Sequence, residues 1–166
     1  MTPNVTSELI RSIKEKSSLK QFELAETELS QDDIEMIGEF ISKSRQLEEL
    51  ELRDNYMVPR QVETLMEYIH ENKRLVHVNL SRNNMMERFG QNHLERALET
   101  EKKVKEQLYS FFRGNKKLIH IDLTSTNLSE VAILHIIPAI KRSKSLQGIH
   151  LSGNPGVTVA VKKEAR

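Results

Sequence analysis

The strongest constraint on this chain is an internal period. Leu19, Leu47, Leu75, Leu118 and Leu146 each open one six-residue pattern: leucine, two free positions, an apolar residue, a free position and a closing apolar residue. Phe22 and Leu24, Leu50 and Leu52, Val78 and Leu80, Ile121 and Leu123, and Ile149 and Leu151 complete it. The openings are 28, 28, 43 and 28 residues apart. Eight places after each opening stands Thr27, Asn55, Asn83, Thr126 or Asn154, and ten places after stands Leu29, Met57, Met85 or Leu128, with Gly156 breaking the last series. Self-similarity at a period in this range marks a repeat architecture, in which each unit buries its apolar face only against its neighbours.

The pattern within each unit predicts its parts. Apolar residues alternating at a spacing of two, as in the segments ending at Leu52 and Leu123, read as a short half-buried strand. Past the asparagine or threonine the spacing becomes three and four: Ile34, Ile37, Phe40 and Ile41; Val62, Leu65, Tyr68 and Ile69; Ile133, Ile136, Ile137 and Ile140. Each set makes one buried helical stripe. Ser30 with Asp33, Pro59, and Ser129 with Glu130 signal helix starts. Pro138 violates the helix rule, since in mid-helix it removes a backbone hydrogen bond. Units of this kind stack with parallel strands about 4.8 Å apart and helices outside.

The spacing and the asparagine position resemble leucine-rich repeats of the ribonuclease-inhibitor-like class, over nearly the whole chain. The resemblance implies an α/β leucine-rich-repeat solenoid, a horseshoe segment with a parallel concave sheet and outer α-helices, forming one domain over residues 1–166. It also implies an asparagine ladder at the turns, which Thr27 and Thr126 interrupt. Val5, Leu9, Ile10 and Ile13 match the helix of a preceding unit, and the last unit runs out through residues 157–166 without a full amphipathic helix. Because solenoids need polar caps at their ends, the chain is expected to be part of a larger polypeptide.

Composition narrows the function classes. With 25 Lys+Arg against 24 Asp+Glu, the formal charge is +1, which argues against a nucleic-acid binder. Charged residues reach 30% and no long apolar run occurs, so no membrane insertion is expected. The absence of cysteine and of a signal-peptide pattern points to a cytoplasmic protein, and little weight attaches to the sequons at Asn4, Asn79 and Asn127.

The third unit is 15 residues longer than the others, and the excess forms an insertion at about 86–105 on the helical side. Leu94, Ala97, Leu98, Val104, Leu108, Phe111 and Phe112 keep helical spacing with a polar gap at Glu101, predicting one helix over about 92–113, roughly 33 Å long at 1.5 Å per residue. Leu108, Phe111 and Phe112 align with Leu65, Tyr68 and Ile69, so the beginning of this helix must project or fold over, with Gly90 allowing a bend. Phe89, Leu94 and Leu98 then either pack on neighbouring helices or dock a partner.

On the open face of the sheet, side chains two, four and six places after each leucine form rows. The first reads Gln21, Glu49, His77, His120, Gly148; the second Glu23, Glu51, Asn79, Asp122, His150; the third Ala25, Arg53, Ser81, Thr124, Ser152. Glu49, Glu51, Arg53, His77, Asn79, His120, Asp122 and His150 are the expected partner-binding residues. Three histidines and an aspartate are zinc-ligand types, but strand-borne ligands form a flat array rather than a tetrahedral pocket. His70, His93 and His135 fall on helices, away from this face. No nucleophile elbow, Walker loop, dinucleotide fingerprint or HExxH appears, so catalytic residues, metal and cofactor are all expected to be none. The leading expectation is a non-enzymatic protein–protein interaction module, with a protein partner of unknown identity. Alternatives are a Ran GTPase activator-like protein acting on a small GTPase, a tropomodulin-like actin-binding role, and a metal site on the sheet.

Overall fold

The computed structural model describes residues 5–13, 18–86 and 94–165. Along these run α1 (Val5–Ile13), β1 (Gln21–Glu23), α2 (Gln31–Lys43), β2 (Glu49–Glu51), α3 (Pro59–Glu71) and β3 (His77–Asn79). Then follow α4 (Leu94–Gly114), β4 (His120–Asp122), α5 (Glu130–Arg142), β5 (Gly148–His150) and α6 (Val159–Glu164). The fold is α/β. The five strands form one parallel sheet in chain order, β1-β2-β3-β4-β5, and helices pack against their chain neighbours from α1 on α2 through to α5 on α6.

Register follows the repeat. Gln21 pairs with Glu49, Glu49 with His77, His77 with His120 and His120 with Gly148. The extra length of the third unit is therefore absorbed without shifting the sheet. In each of the first four strands the middle residue, Phe22, Leu50, Val78 or Ile121, is buried, as are the opening leucines Leu47, Leu75 and Leu118. Leu19 and Leu146, under the outermost strands, are half-buried.

The turn after each strand uses the left-handed region. Glu26, Asp54, Arg82 and Ser125 have φ of 58°, 55°, 56° and 54°, and Gly153, at the same place in the fifth unit, 72°. Such a conformation costs an L-residue roughly 1–2 kcal/mol. It aims each amide at the next unit: Glu26, Asp54, Arg82 and Ser125 donate to the carbonyls of Arg53, Ser81, Thr124 and Ser152 at 3.3, 3.0, 2.9 and 2.8 Å. The lateral hydrogen bonding thus continues past the strand ends.

The next residue inward supplies the ladder. Asn83 is buried; its Nδ2 donates to the Leu52, Leu80 and Ser81 carbonyls at 2.8, 3.1 and 3.3 Å, and its Oδ1 accepts from Met57 N at 3.1 Å. Asn55 and Asn154 likewise donate to their own strand and the preceding one. Thr126 Oγ1 reaches only the Leu123 carbonyl of its own strand, 2.8 Å, and Asn154 Oδ1, 3.1 Å. A hydroxyl has one proton where an amide has two, so the link back to the third unit is missing there. Asn127, its neighbour, reaches back instead, donating to the Met86 carbonyl at 3.1 Å.

A second set of polar side chains closes the opposite turn, three places before Leu47, Leu75, Leu118 and Leu146. Asn72 Nδ2 donates to Ile41 O at 2.7 Å, Asn115 Nδ2 to Leu75 O at 3.0 Å, and Ser44 and Ser143 accept from the amides of Leu47 and Leu146, each at 3.2 Å. Ser30 and Asp33 form a capping box on α2, Pro59 begins α3, and Ser129 caps α5. Asp33 also accepts from Ser7 Oγ at 2.6 Å, which ties α1 to α2. Burial alone would raise its carboxyl, but hydrogen bonds from the Ser30 and Ser7 hydroxyls and the Ser30 amide, with the Arg11 charge, hold it below the usual carboxylate range. Pro138 lies inside α5 on its exposed side. Among the described residues, no helix is long and apolar enough to cross a membrane.

Candidate functional site

The alternation that buries the centre of each strand turns the flanking residues outward, onto the open face of the sheet. Pairing brings the first two expected rows together in full. A shallow hollow of about 260 Å³ lies across them, lined among others by Glu49, Glu51, His77, Asn79, His120 and Asp122.

Charge changes along the face. On the β1–β2 side Arg53 stands 3.1 Å from Glu26, 3.2 Å from Asp54 and 3.7 Å from Glu51. Burial pushes the Glu51 carboxyl above its ordinary value, against the pull of the Asn79 hydrogen bond and of Arg53. Its Oε2 accepts from Asn79 Nδ2 at 3.0 Å, whereas Oε1 accepts no hydrogen bond among the described residues. Glu49 is exposed.

Toward β5 the face is built of imidazoles. The rings of His77 and His120 are 6.3 Å apart, and those of His120 and His150 meet edge to face at 4.7 Å. Asp122 Oδ2 is 3.9 Å from His150 Nδ1. The row order places His77 beside His120 and Asp122 beside His150, but not the diagonal contact between His120 and His150. Its signal in the sequence is Gly148, which occupies the place beside His120. A Cβ there would lie 2.5 Å from His120 Cδ2, so the missing side chain leaves room for the ring. Among the described residues no group of three or more His, Asp or Glu side chains is placed to hold a metal ion.

The helical candidates are arranged differently. Ala97, Thr100, Val104, Leu108, Phe111 and Phe112 are the buried stripe of α4, while Leu94 and Leu98 are 54% and 51% exposed. The polar gap at Glu101 has a partner, since its carboxylate accepts from Ser129 Oγ at the start of α5. On the other side Lys103 pairs with Glu63 at 2.9 Å, and Gln107 donates to the Glu63 carbonyl at 3.0 Å. Phe89, Gly90, His93 and the sequon at Asn4 lie outside the described residues. His70 lies in the last turn of α3, its imidazole held below its ordinary value by burial and then by the Lys73 charge; the ring of His135, on α5, is tilted against that of Tyr109 with centroids 5.2 Å apart.

No family model matches the chain, and no curated protein matches it. It is similar in structure to the C-terminal domain of tropomodulin from Caenorhabditis elegans, with a TM-score of 0.73 and 14% identity over 98% of this chain and 89% of that one. It is also similar to the domain described as actin-binding site 2 of leiomodin-1, with a TM-score of 0.72 and 10% identity over 98% of this chain and 86% of that one. These likenesses correct the expected ribonuclease-inhibitor-like class: the neighbours are tropomodulin and leiomodin domains with a leucine-rich-repeat-like fold. The physical reason is that leucine spacing and a turn asparagine encode what any stacked strand–turn–helix unit requires. They specify the stacking, and the class within it lies elsewhere in the sequence.

Proposed function

We propose that this chain is a non-enzymatic protein-binding module. It is read as one leucine-rich-repeat domain with units opening at Leu19, Leu47, Leu75, Leu118 and Leu146, a short solenoid whose concave sheet face receives a protein partner. The observation that supports this best is the lateral continuity of the sheet face. One row of polar side chains, from Glu23 to His150, runs across all five strands in register, and a second, from Gln21 to His120, runs across the first four; a surface of graded charge and hydrogen-bonding groups favours selective protein contact. Glu49, Glu51, Arg53, His77, Asn79, His120, Asp122 and His150 are the proposed contact residues. Leu94 and Leu98, in the long helix of the third unit, are a secondary contact. Fold alone does not name a partner, but one structural neighbour is described as an actin-binding site, which makes actin the first candidate. The Ran GTPase activator reading has no such neighbour behind it.

The test is co-sedimentation with filamentous actin, together with affinity capture from a cytosolic extract. Each uses the wild-type chain and the double variant Glu51→Lys/Asp122→Lys. A partner bound by the wild type and lost by the folded variant supports the reading; capture unchanged by both substitutions contradicts it.

A further inference from the structure

The helix C-terminal edge of the molecule carries a second hollow, larger than that on the sheet. It lies between the ends of α4 and α5 and the turns into β4 and β5, with a volume of about 460 Å³. Arg113, Lys116, Arg142 and Lys144 stand around it, Phe112 and Ala139 form its floor, and no carboxylate lines it. All four cations are exposed, and none has an acidic partner among the described residues. The remaining cation of this stretch, Lys141, is drawn off by Glu164 at 3.6 Å.

Helix dipoles favour cations in a last turn, which accounts for Arg113 and Arg142. Lys116 adds to this by donating to the Arg113 carbonyl at 2.6 Å. The dipole does not account for Lys144, which follows the helix, nor for the convergence of two helix ends and two turns on one hollow without a carboxylate. The positive character continues onto the neighbouring unit, where Lys73 Nζ leans over Gly114, 3.0 Å from where a Cβ would stand. Lys117 and Arg74 extend the same edge.

We propose that this hollow docks an extended acidic segment of a protein partner, with its carboxylates between the four cations and a small apolar side chain above Phe112 and Ala139. Charge complementarity favours this occupant, and the rest of the molecule favours it over a broad polyanion. Glu71 lies close enough to His70 and Lys73 to act on their charge, and Glu164 pairs with Lys141, so a bilayer or a nucleic acid laid across this edge would also meet carboxylates, whereas a short peptide engages only the hollow. Repeated strands and helices present the cations in steps along the edge, which suits an extended chain whose alternate side chains point the same way. The site is separate from the sheet face and does not rest on the function proposed for it.

The experiment is fluorescence anisotropy of a labelled glutamate-rich peptide with the full chain at low ionic strength, with a lysine-rich peptide as control. The wild type binds the acidic peptide alone, and affinity falls steeply as salt is added. Arg142→Glu/Lys144→Glu weakens it about tenfold or more, while Arg60→Glu, an exposed charge reversal in the first turn of α3 at the opposite end of the helices, leaves it unchanged. An independent variant, Arg113→Gln, weakens it in the same direction by a smaller factor, and thermal melts of each variant confirm folding. The proposal is overturned by binding that ignores the charge reversals, by no binding of the acidic peptide, or by phosphatidylserine vesicles or inorganic phosphate binding where the peptide does not.

Discussion

The second and third units form the most instructive pair in the molecule. Both place a three-residue strand in the same sheet register, and both end their helices on an aligned apolar set, with Leu65 and Ile69 in α3 matched by Leu108 and Phe112 in α4, all buried. Between these fixed points the third unit is 15 residues longer, and α4 has 21 residues where α3 has 13. What is held constant is the strand, the turn asparagine and the last turns of the helix. The start of the helix differs: it buries only the small side chains of Ala97 and Thr100, and the turns after it are tied to α3 and to the start of α5 by the polar side chains of Lys103, Gln107 and Glu101.

If the two units are equivalent where they align, Leu65→Ala and Leu108→Ala destabilise the fold alike, each by about 2–5 kcal/mol. Chemical denaturation measures both, and a small loss for Leu108 alone would break the equivalence. The links on either side of the third unit sharpen the contrast. Asn83→Ala strips the bridge to the second unit and leaves several buried backbone groups unpaired, costing about 3 kcal/mol, against about 1 kcal/mol for Thr126→Ala, whose hydroxyl makes no link back to the third unit. Equal losses would mean that the ladder is not where the units are joined.

Asp33, which ties α1 to α2, supplies a pH test for the regular end of the array. Its carboxyl is held below the ordinary value near about 3.9, so its contribution is complete above that pH and is lost as pH falls through the folded value. Asp33→Asn therefore lowers stability by about 1–3 kcal/mol at neutral pH, and the gap to wild type narrows under acid. A gap independent of pH would remove ionisation from the account. The smallest effect is expected on the exposed side of the start of α4, where Leu98→Ala changes stability by less than about 0.5 kcal/mol. A loss as large as that of Leu108→Ala would show this segment to be core.

Periodicity made the sheet legible, because a slip of one residue would turn every buried strand residue outward; the rows could be written down to the residue. The helix starts at Ser30, Pro59 and Ser129 were legible from capping chemistry. Other features were harder to see. The serine and asparagine set before the opening leucines repeats as faithfully as the turn ladder, yet polar residues after a helix read as ordinary loop. The contact between His120 and His150 depends on the absent side chain of Gly148, a diagonal relation that row order does not contain. Leu94 and Leu98 share a helical spacing with the buried stripe, but only the neighbouring helices decide which residues it covers, and those helices cover Ala97 and Thr100 instead. The basic hollow assembles from two units whose cations are 26 or more residues apart in the chain.

The three sheet histidines offer the most direct measurement. His77, His120 and His150 stand on the open face, whereas His70 and His135 stand on helices, so their imidazole carbon-bound proton resonances report separately on the two sides of the protein. On titration with a captured partner, shifts at His77, His120 and His150 with His70 and His135 unmoved are the predicted result. Shifts confined to His70 and His135 would place the partner on the helices and contradict the assignment of the sheet as the binding face.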